Sequence, residues 1–137
     1  MRGDSVKTST ESIVFTKEDV LQYCEAIGEE NKLYTCGDYA KSHGFQTIPL
    51  PSTMPLIMYR LFTIPWEHDG GVMIHRKQEC STFRRMFIDE EYTGDITLTN
   101  VVSRKSYTFR EETLSIYDKS GELCFQGTSH LVVGDTT

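Results

Sequence analysis

Three residues close together in the chain, Glu29, Asn31 and Tyr34, place a carboxyl, an amide and a phenol within one short stretch. A carboxyl group can give or take a proton in a reaction run near neutrality. An amide there either holds a functional hydrogen bond or satisfies its own loop backbone. A phenol titrates near 10 in water, so Tyr34 is suited to donate a hydrogen bond and not to act as a base. Glu29 is thus the acid–base candidate, against the plainer reading of a solvated carboxylate after a helix stop. His43 and His75 are weaker candidates. His43 falls at a helix end, where a positive imidazole is favoured without catalysis, and His75 opens a strand among charges.

The four cysteines (Cys24, Cys36, Cys80, Cys124) include no Cys-x-x-Cys pair, and each reads as a small core residue. The four histidines form no pair with metal-ligand spacing. No metal and no cofactor is expected. The run from His75 to Met86 carries Arg76, Lys77, Arg84 and Arg85 against Glu79. It is either a solvated strand face or an anion site, with Arg84 and Arg85 as its contacts. The net charge of −6 argues against a nucleic-acid partner. A content of 38% hydrophobic and 25% charged residues is that of an ordinary globular domain. No apolar run approaches the roughly 20 residues of a membrane helix. Met1 to Ser12 is polar and lacks a signal-peptide core, so a mobile tail and a cytoplasmic location are expected.

These residues need elements to position them. Thr16 with Asp19 three residues on is a variant capping box, and Val20, Tyr23, Cys24 and Ile27 share one helical face that Gly28 stops. Ile13 to Phe15 is a short strand or staple before it. A second short helix is expected from Gly37 to His43. Pro51 and Pro55 frame a third, Met54 to Phe62, apolar on most sides and so buried. Beyond Gly71 the chain reads as strands: Val72–Cys80, Asp95–Arg104, Ser106–Tyr117 and Glu122–Val133. Tyr92 to Asp95 marks the approach to one of them, and Asp118-Lys119-Ser120-Gly121 is a hairpin turn. The fold class is α+β, an antiparallel sheet wrapped around a central buried helix, in one domain from residue 13 to 137. A cystatin-like cone is the rival.

Three segments carry a resemblance. YCEAIGEENKL from Tyr23 to Leu33, followed by Tyr34, resembles the Gly-Asp-x-Asn-Pro-x-His stretch of MaoC-like dehydratases and R-specific enoyl-thioester hydratases. IPLPSTMPLIMYRL, from Ile48 to Leu61, is similar to the Pro-Pro-Thr-Phe-Pro lead into the central helix of their N-terminal hotdog domains. His75 to Asp95, with Gln78-Glu79, Phe83-Arg84 and Gly94-Asp95, is similar to the strand that follows. The resemblance implies a hotdog fold that binds acyl thioesters of coenzyme A or acyl carrier protein.

It also carries a departure. Aligned on Gly28 and Asn31, the family's catalytic Asp and His positions hold Glu29 and Tyr34. The chain therefore resembles the non-catalytic hotdog half, whose partner supplies the Asp–His pair, as a homodimer or a heterodimer with a catalytic hotdog subunit. The resemblance assigns the oxyanion-binding N–H groups to Thr53 and Met54. Trp66 with Met54, Met58 and Met73 reads as core or dimer packing, or else as a Met-lined tunnel for an acyl chain, and the anion site at Arg84 and Arg85 would take the phosphates of coenzyme A or an acidic carrier protein. Two other readings stand beside it: a stand-alone hydratase or thioesterase using Glu29, and a regulatory module that binds protein.

Overall fold

The computed structural model describes residues 6–66 and 72–134. In chain order they form β1 (Val6–Lys7), β2 (Glu11–Val14), α1 (Lys17–Ile27), α2 (Gly37–Ser42), a central 3-10 helix (Met54–Leu61), β3 (Met73–Thr82), β4 (Glu91–Arg104), β5 (Tyr107–Tyr117) and β6 (Leu123–Gly134). The strands make one antiparallel sheet in which β4, β5, β6 and β3 lie side by side, and β1 and β2 both pair with the outer edge of β4. This is the hotdog arrangement, with the central helix packed on the sheet's inner face. Buried Met54 and Met58 from the helix meet Ile96 of β4, Leu114 and Ile116 of β5 and Phe125 of β6, with Phe15 and Val20 closing one end.

The local signals of the first half hold. Thr16 Oγ1 accepts from the Asp19 N–H at 3.1 Å and Asp19 Oδ2 accepts from the Thr16 N–H at 2.9 Å, so both halves of the capping box form. Gly28 ends α1 at φ 74°, a left-handed value that glycine takes without penalty. At the β5–β6 hairpin, Asp118 Oδ1 accepts from the Ser120 N–H, the Ser120 hydroxyl and the Glu122 N–H, and Gly121 sits at φ 86°.

Four expectations are corrected. The expected tail through Ser12 is instead strand over residues 6–7 and 11–12, with Thr8 buried between them: its Oγ1 accepts from the Ile96 N–H and its own N–H donates to the Ile96 carbonyl. Among the described residues the outer edge of β4 has no other neighbour, and the N-terminal chain covers it. Second, β4 begins at Glu91 and runs straight through Gly94. A Cβ at Gly94 would lie 2.7 Å from the Ser115 carbonyl oxygen and 3.1 Å from Met58 Cε, so this glycine lies within the strand, not ahead of it, and provides clearance for the helix. Third, the central helix is 3-10, with i to i+3 bonds such as Leu56 N–H to Thr53 carbonyl, and it is buried along one side only: Arg60 and Leu61 are exposed. Fourth, Cys80 is exposed on β3, whereas Cys24 and Cys124 are core residues as expected. The expected loop from Glu67 to Gly71 lies outside the described residues. Among those described, no helix is long and apolar enough to cross a membrane.

Candidate functional site

The loop after α1 holds the three residues first singled out. Glu29 donates its N–H to the Cys24 carbonyl at 2.8 Å, and its Oε2 accepts from the Asn31 N–H at 3.1 Å. Asn31 Oδ1 in turn accepts from the Leu33 N–H at 3.0 Å. Both side chains are exposed and each ties down its own loop backbone. Tyr34 is half-buried and packs against the core. Burial first, and the Glu29 charge second, push the Cys24 thiol up.

The chain before the central helix is fastened to α1 by a 2.6 Å hydrogen bond between the Tyr23 and Thr53 hydroxyls. The Met54 N–H donates to the Pro51 carbonyl at 3.0 Å, and the Met54 and Met58 side chains are fully buried. Two clefts open on either side of Arg84 and Arg85. One, of about 280 Å³, lies between Pro51–Ser52, Pro55 and Phe83. The other, of about 410 Å³, lies between Phe45–Gln46, Glu90 and Asp118. Arg84 Nε stands 3.6 Å from Asp118 Oδ2, and the Arg85 guanidinium lies over the Phe45 ring at 5.1 Å from its centre. Hydrogen bonds from Ser120 and Glu122, with Arg84 beside it, hold the Asp118 carboxyl below its usual range. The fold therefore brings Arg84 and Arg85 to the start of the central helix, while Glu29, Asn31 and Tyr34 line neither cleft.

A third cavity, of about 370 Å³, lies at the other end of the helix, against β3, β5 and β6. Its floor is Glu112, 2% exposed. The Tyr59 hydroxyl donates to Glu112 Oε1, and Trp66 Nε1 donates to Oε2 at 2.7 Å. Arg110 Nε stands 3.1 Å from Oε2 without aiming its N–H at it. That contact is Coulombic, and the N–H has no hydrogen-bond partner among the described residues. Burial, and then the Glu112 carboxylate beside it, push the Tyr59 phenol far above its ordinary value. Sequence reasoning found no carboxylate on the central helix; β5 brings one against it. The signal was the strict alternation Arg110, Glu112, Leu114, Ile116, which places two charged residues on the face that meets the helix. His75 and Gln78 also reach this cavity, because β3 bulges between His75 and Lys77 and so turns both residues to one side.

One antiparallel sheet rolled on a single central helix, with clefts at both ends of that helix, defines a hotdog domain. The chain belongs to the family described as the FAS1-like, dehydratase domain region, whose model matches residues 3–135. No curated protein sequence matches it. Among solved structures it is similar to the (3R)-hydroxyacyl-ACP dehydratase HadBC complex from Mycobacterium tuberculosis, at a TM-score of 0.81 and 12% identity, covering 96% of this chain and 99% of that one. It is similar to the (R)-hydratase of A. caviae involved in PHA biosynthesis, at 0.74 and 19% over 93% of both chains. It is also similar to a chain of the ChsH1–ChsH2 complex from Mycobacterium tuberculosis, at 0.71 and 16%, covering 92% and 83%.

Proposed function

We propose that this chain is the acyl-thioester-binding subunit of a hotdog dehydratase or hydratase, and that a partner subunit carries the Asp–His pair. The observation that supports this most is the state of the two motif positions. Glu29 is exposed and bonded to its own loop, and Tyr34 is packed against the core, so neither is poised to move a proton at a substrate carbon. The thioester's phosphates would lie along Arg84 and Arg85, beside the residues that lead into the central helix.

Strand β3 supports the partner. It is the free edge of the sheet, and all ten of its residues are exposed. Val72 and Ile74 are more than half exposed there, an arrangement that invites a second strand. Two of the similar structures are complexes, which fits a chain that works beside another.

The test is to add trans-2-enoyl-CoA of short, medium and long chain to the isolated protein and follow the conjugated thioester absorbance. A Glu29→Gln variant runs alongside. No turnover, with thermal stabilisation by acyl-CoA, is the expected result. Turnover that disappears in the variant would make Glu29 the catalytic group and end the binding-subunit reading.

A further inference from the structure

The cavity over Glu112 is unlike a plain hydrocarbon slot. Leu56, Met73 and Leu131 give it apolar walls, but its floor and one side are Glu112, Ser129 and Gln78. Leu114 and Ile116, on the same face of β5, show what ordinary packing against the helix requires. A buried ion pair is poor at stabilising a fold compared with apolar residues of similar size, so Arg110 and Glu112 are not explained by packing. The volume of about 370 Å³ falls within the range of small-molecule sites.

A carboxylate has about four acceptor positions. Tyr59 uses one on Oε1 and Trp66 one on Oε2, with Arg110 against Oε2, so Oε1 keeps a lone pair with no donor among the described residues. The Ser129 hydroxyl donates to Gln78 Oε1 at 2.9 Å, which leaves its oxygen as an acceptor. Gln78 Nε2 is committed to the Thr128 carbonyl at 3.0 Å. What Glu112 and Ser129 offer is therefore acceptors, with His75 as a further polar side chain on the wall. A purely alkyl group leaves Glu112 Oε1 without its last partner.

We infer that this cavity binds an apolar group ending in a hydroxyl, and that Glu112 accepts the hydroxyl's hydrogen bond. The inference rests on the proposed function in one respect: the apolar group is taken to be the acyl portion of a thioester, so the substrate class becomes a thioester hydroxylated at the far end of its acyl chain. Glu112 is then a specificity residue, and Tyr59, Trp66 and Arg110 position it.

The experiment titrates the chain calorimetrically with hexanoyl-CoA and 6-hydroxyhexanoyl-CoA, and separately with 1-hexanol while the Met73 ε-methyl signal is followed by NMR. The hydroxylated thioester is expected to bind at least about tenfold tighter, the size of one hydrogen bond to a charged acceptor. In an Arg110→Met/Glu112→Leu variant, which removes both charges together, that preference should vanish while hexanoyl-CoA still binds. Tyr59→Phe frees a second position on Oε1 and should raise the preference; if the double variant does not fold, this variant decides. Equal binding of the two thioesters to the wild type overturns the inference and leaves the thioester reading intact. If 1-hexanol shifts Met73 in the wild type but not in the double variant, and neither thioester binds, the cavity assignment holds and the thioester reading fails. No binding of any of the three ends both.

Discussion

Two glycines face the central helix from the sheet, and the cost of alanine should be relieved by trimming the helix at one of them and not at the other. At Gly94 an added Cβ meets the Ser115 carbonyl oxygen at 2.7 Å, with Met58 Cε at 3.1 Å. The oxygen belongs to the neighbouring strand's backbone, so relief requires β4 and β5 to part. Overpacking of this kind costs about 1–3 kcal/mol. For 137 residues at about 2.1 cal/mol/K each, the unfolding entropy is roughly 0.3 kcal/mol/K, which converts that cost to a fall in Tm of about 3–10 °C. At Gly127 the Cβ meets Leu56 Cδ2 at 2.6 Å, the far end of a flexible side chain. Truncating Leu56 should therefore rescue Gly127→Ala, with a favourable coupling of about 0.5 kcal/mol or more in a double-mutant cycle. Truncating Met58 leaves the Ser115 oxygen in place and should rescue little of Gly94→Ala. Thermal melts of the four single and two double variants make the comparison. A Gly94→Ala protein melting within about 1 °C of the wild type, or restored by Met58→Ala, would show that the helix is not held close to β4 as described.

Other outcomes follow from the same geometry. Thr16→Ala removes the exposed α1 cap and should cost about 1 kcal/mol by urea denaturation, with Thr16→Asp retaining most of it. The hydrogen bond from His130 at 2.6 Å, with Lys77 beside it, holds the Glu79 carboxyl below its ordinary value of 4.5. A depressed folded pKa gives stability that is present above the unfolded value and lost as the pH falls through the folded one. Amide protection factors along β3, which correct for the intrinsic pH dependence of exchange, should thus fall as the pH drops below about 4.5, and Glu79→Gln should flatten that dependence. In native thiol titration at neutral pH, buried Cys24 and Cys124 should stay silent while Cys80 reacts. Burial of β3 by a partner subunit should slow the Cys80 reaction; an unchanged rate would place the contact elsewhere.

The sequence disclosed what short-range rules govern. Thr16, Asp19 and Gly28 announce α1 because a cap and a stop are local chemistry, and Asp118 to Gly121 announce the hairpin for the same reason. What stayed hidden depends on neighbours far along the chain. Val6, Lys7 and Thr8 have no strand pattern of their own and are held by the free edge of β4, about ninety residues away. Gly94 marks only the approach to a strand when the sequence is taken alone, because sequence does not show that a helix methionine needs the space. At the candidate site, Arg84 and Arg85 were visible as a charge pair, and the start of the central helix as a proline-framed segment; their adjacency was not. Glu112 was visible only as an acidic residue in a charged strand. Its partners Tyr59 and Trp66 come from 53 and 46 residues away, beyond any local pattern.

The central helix is tied down by a phenol at each end: Tyr23 holds Thr53, and the helix's own Tyr59 holds Glu112. Between those anchors the 3-10 form matters as a measure of length. Its eight residues at about 2.0 Å each span roughly 16 Å, where the same residues in α form would span about 12 Å. The segment thus behaves as a taut spacer that sets how far apart the arginine clefts and the Glu112 cavity stand. Removing one residue between Thr53 and Tyr59 should pull one anchor loose, and adding one should let the segment relax into a shorter-pitched coil. The reach from one end of the molecule's binding surface to the other is thereby written into the residue count of a single strut.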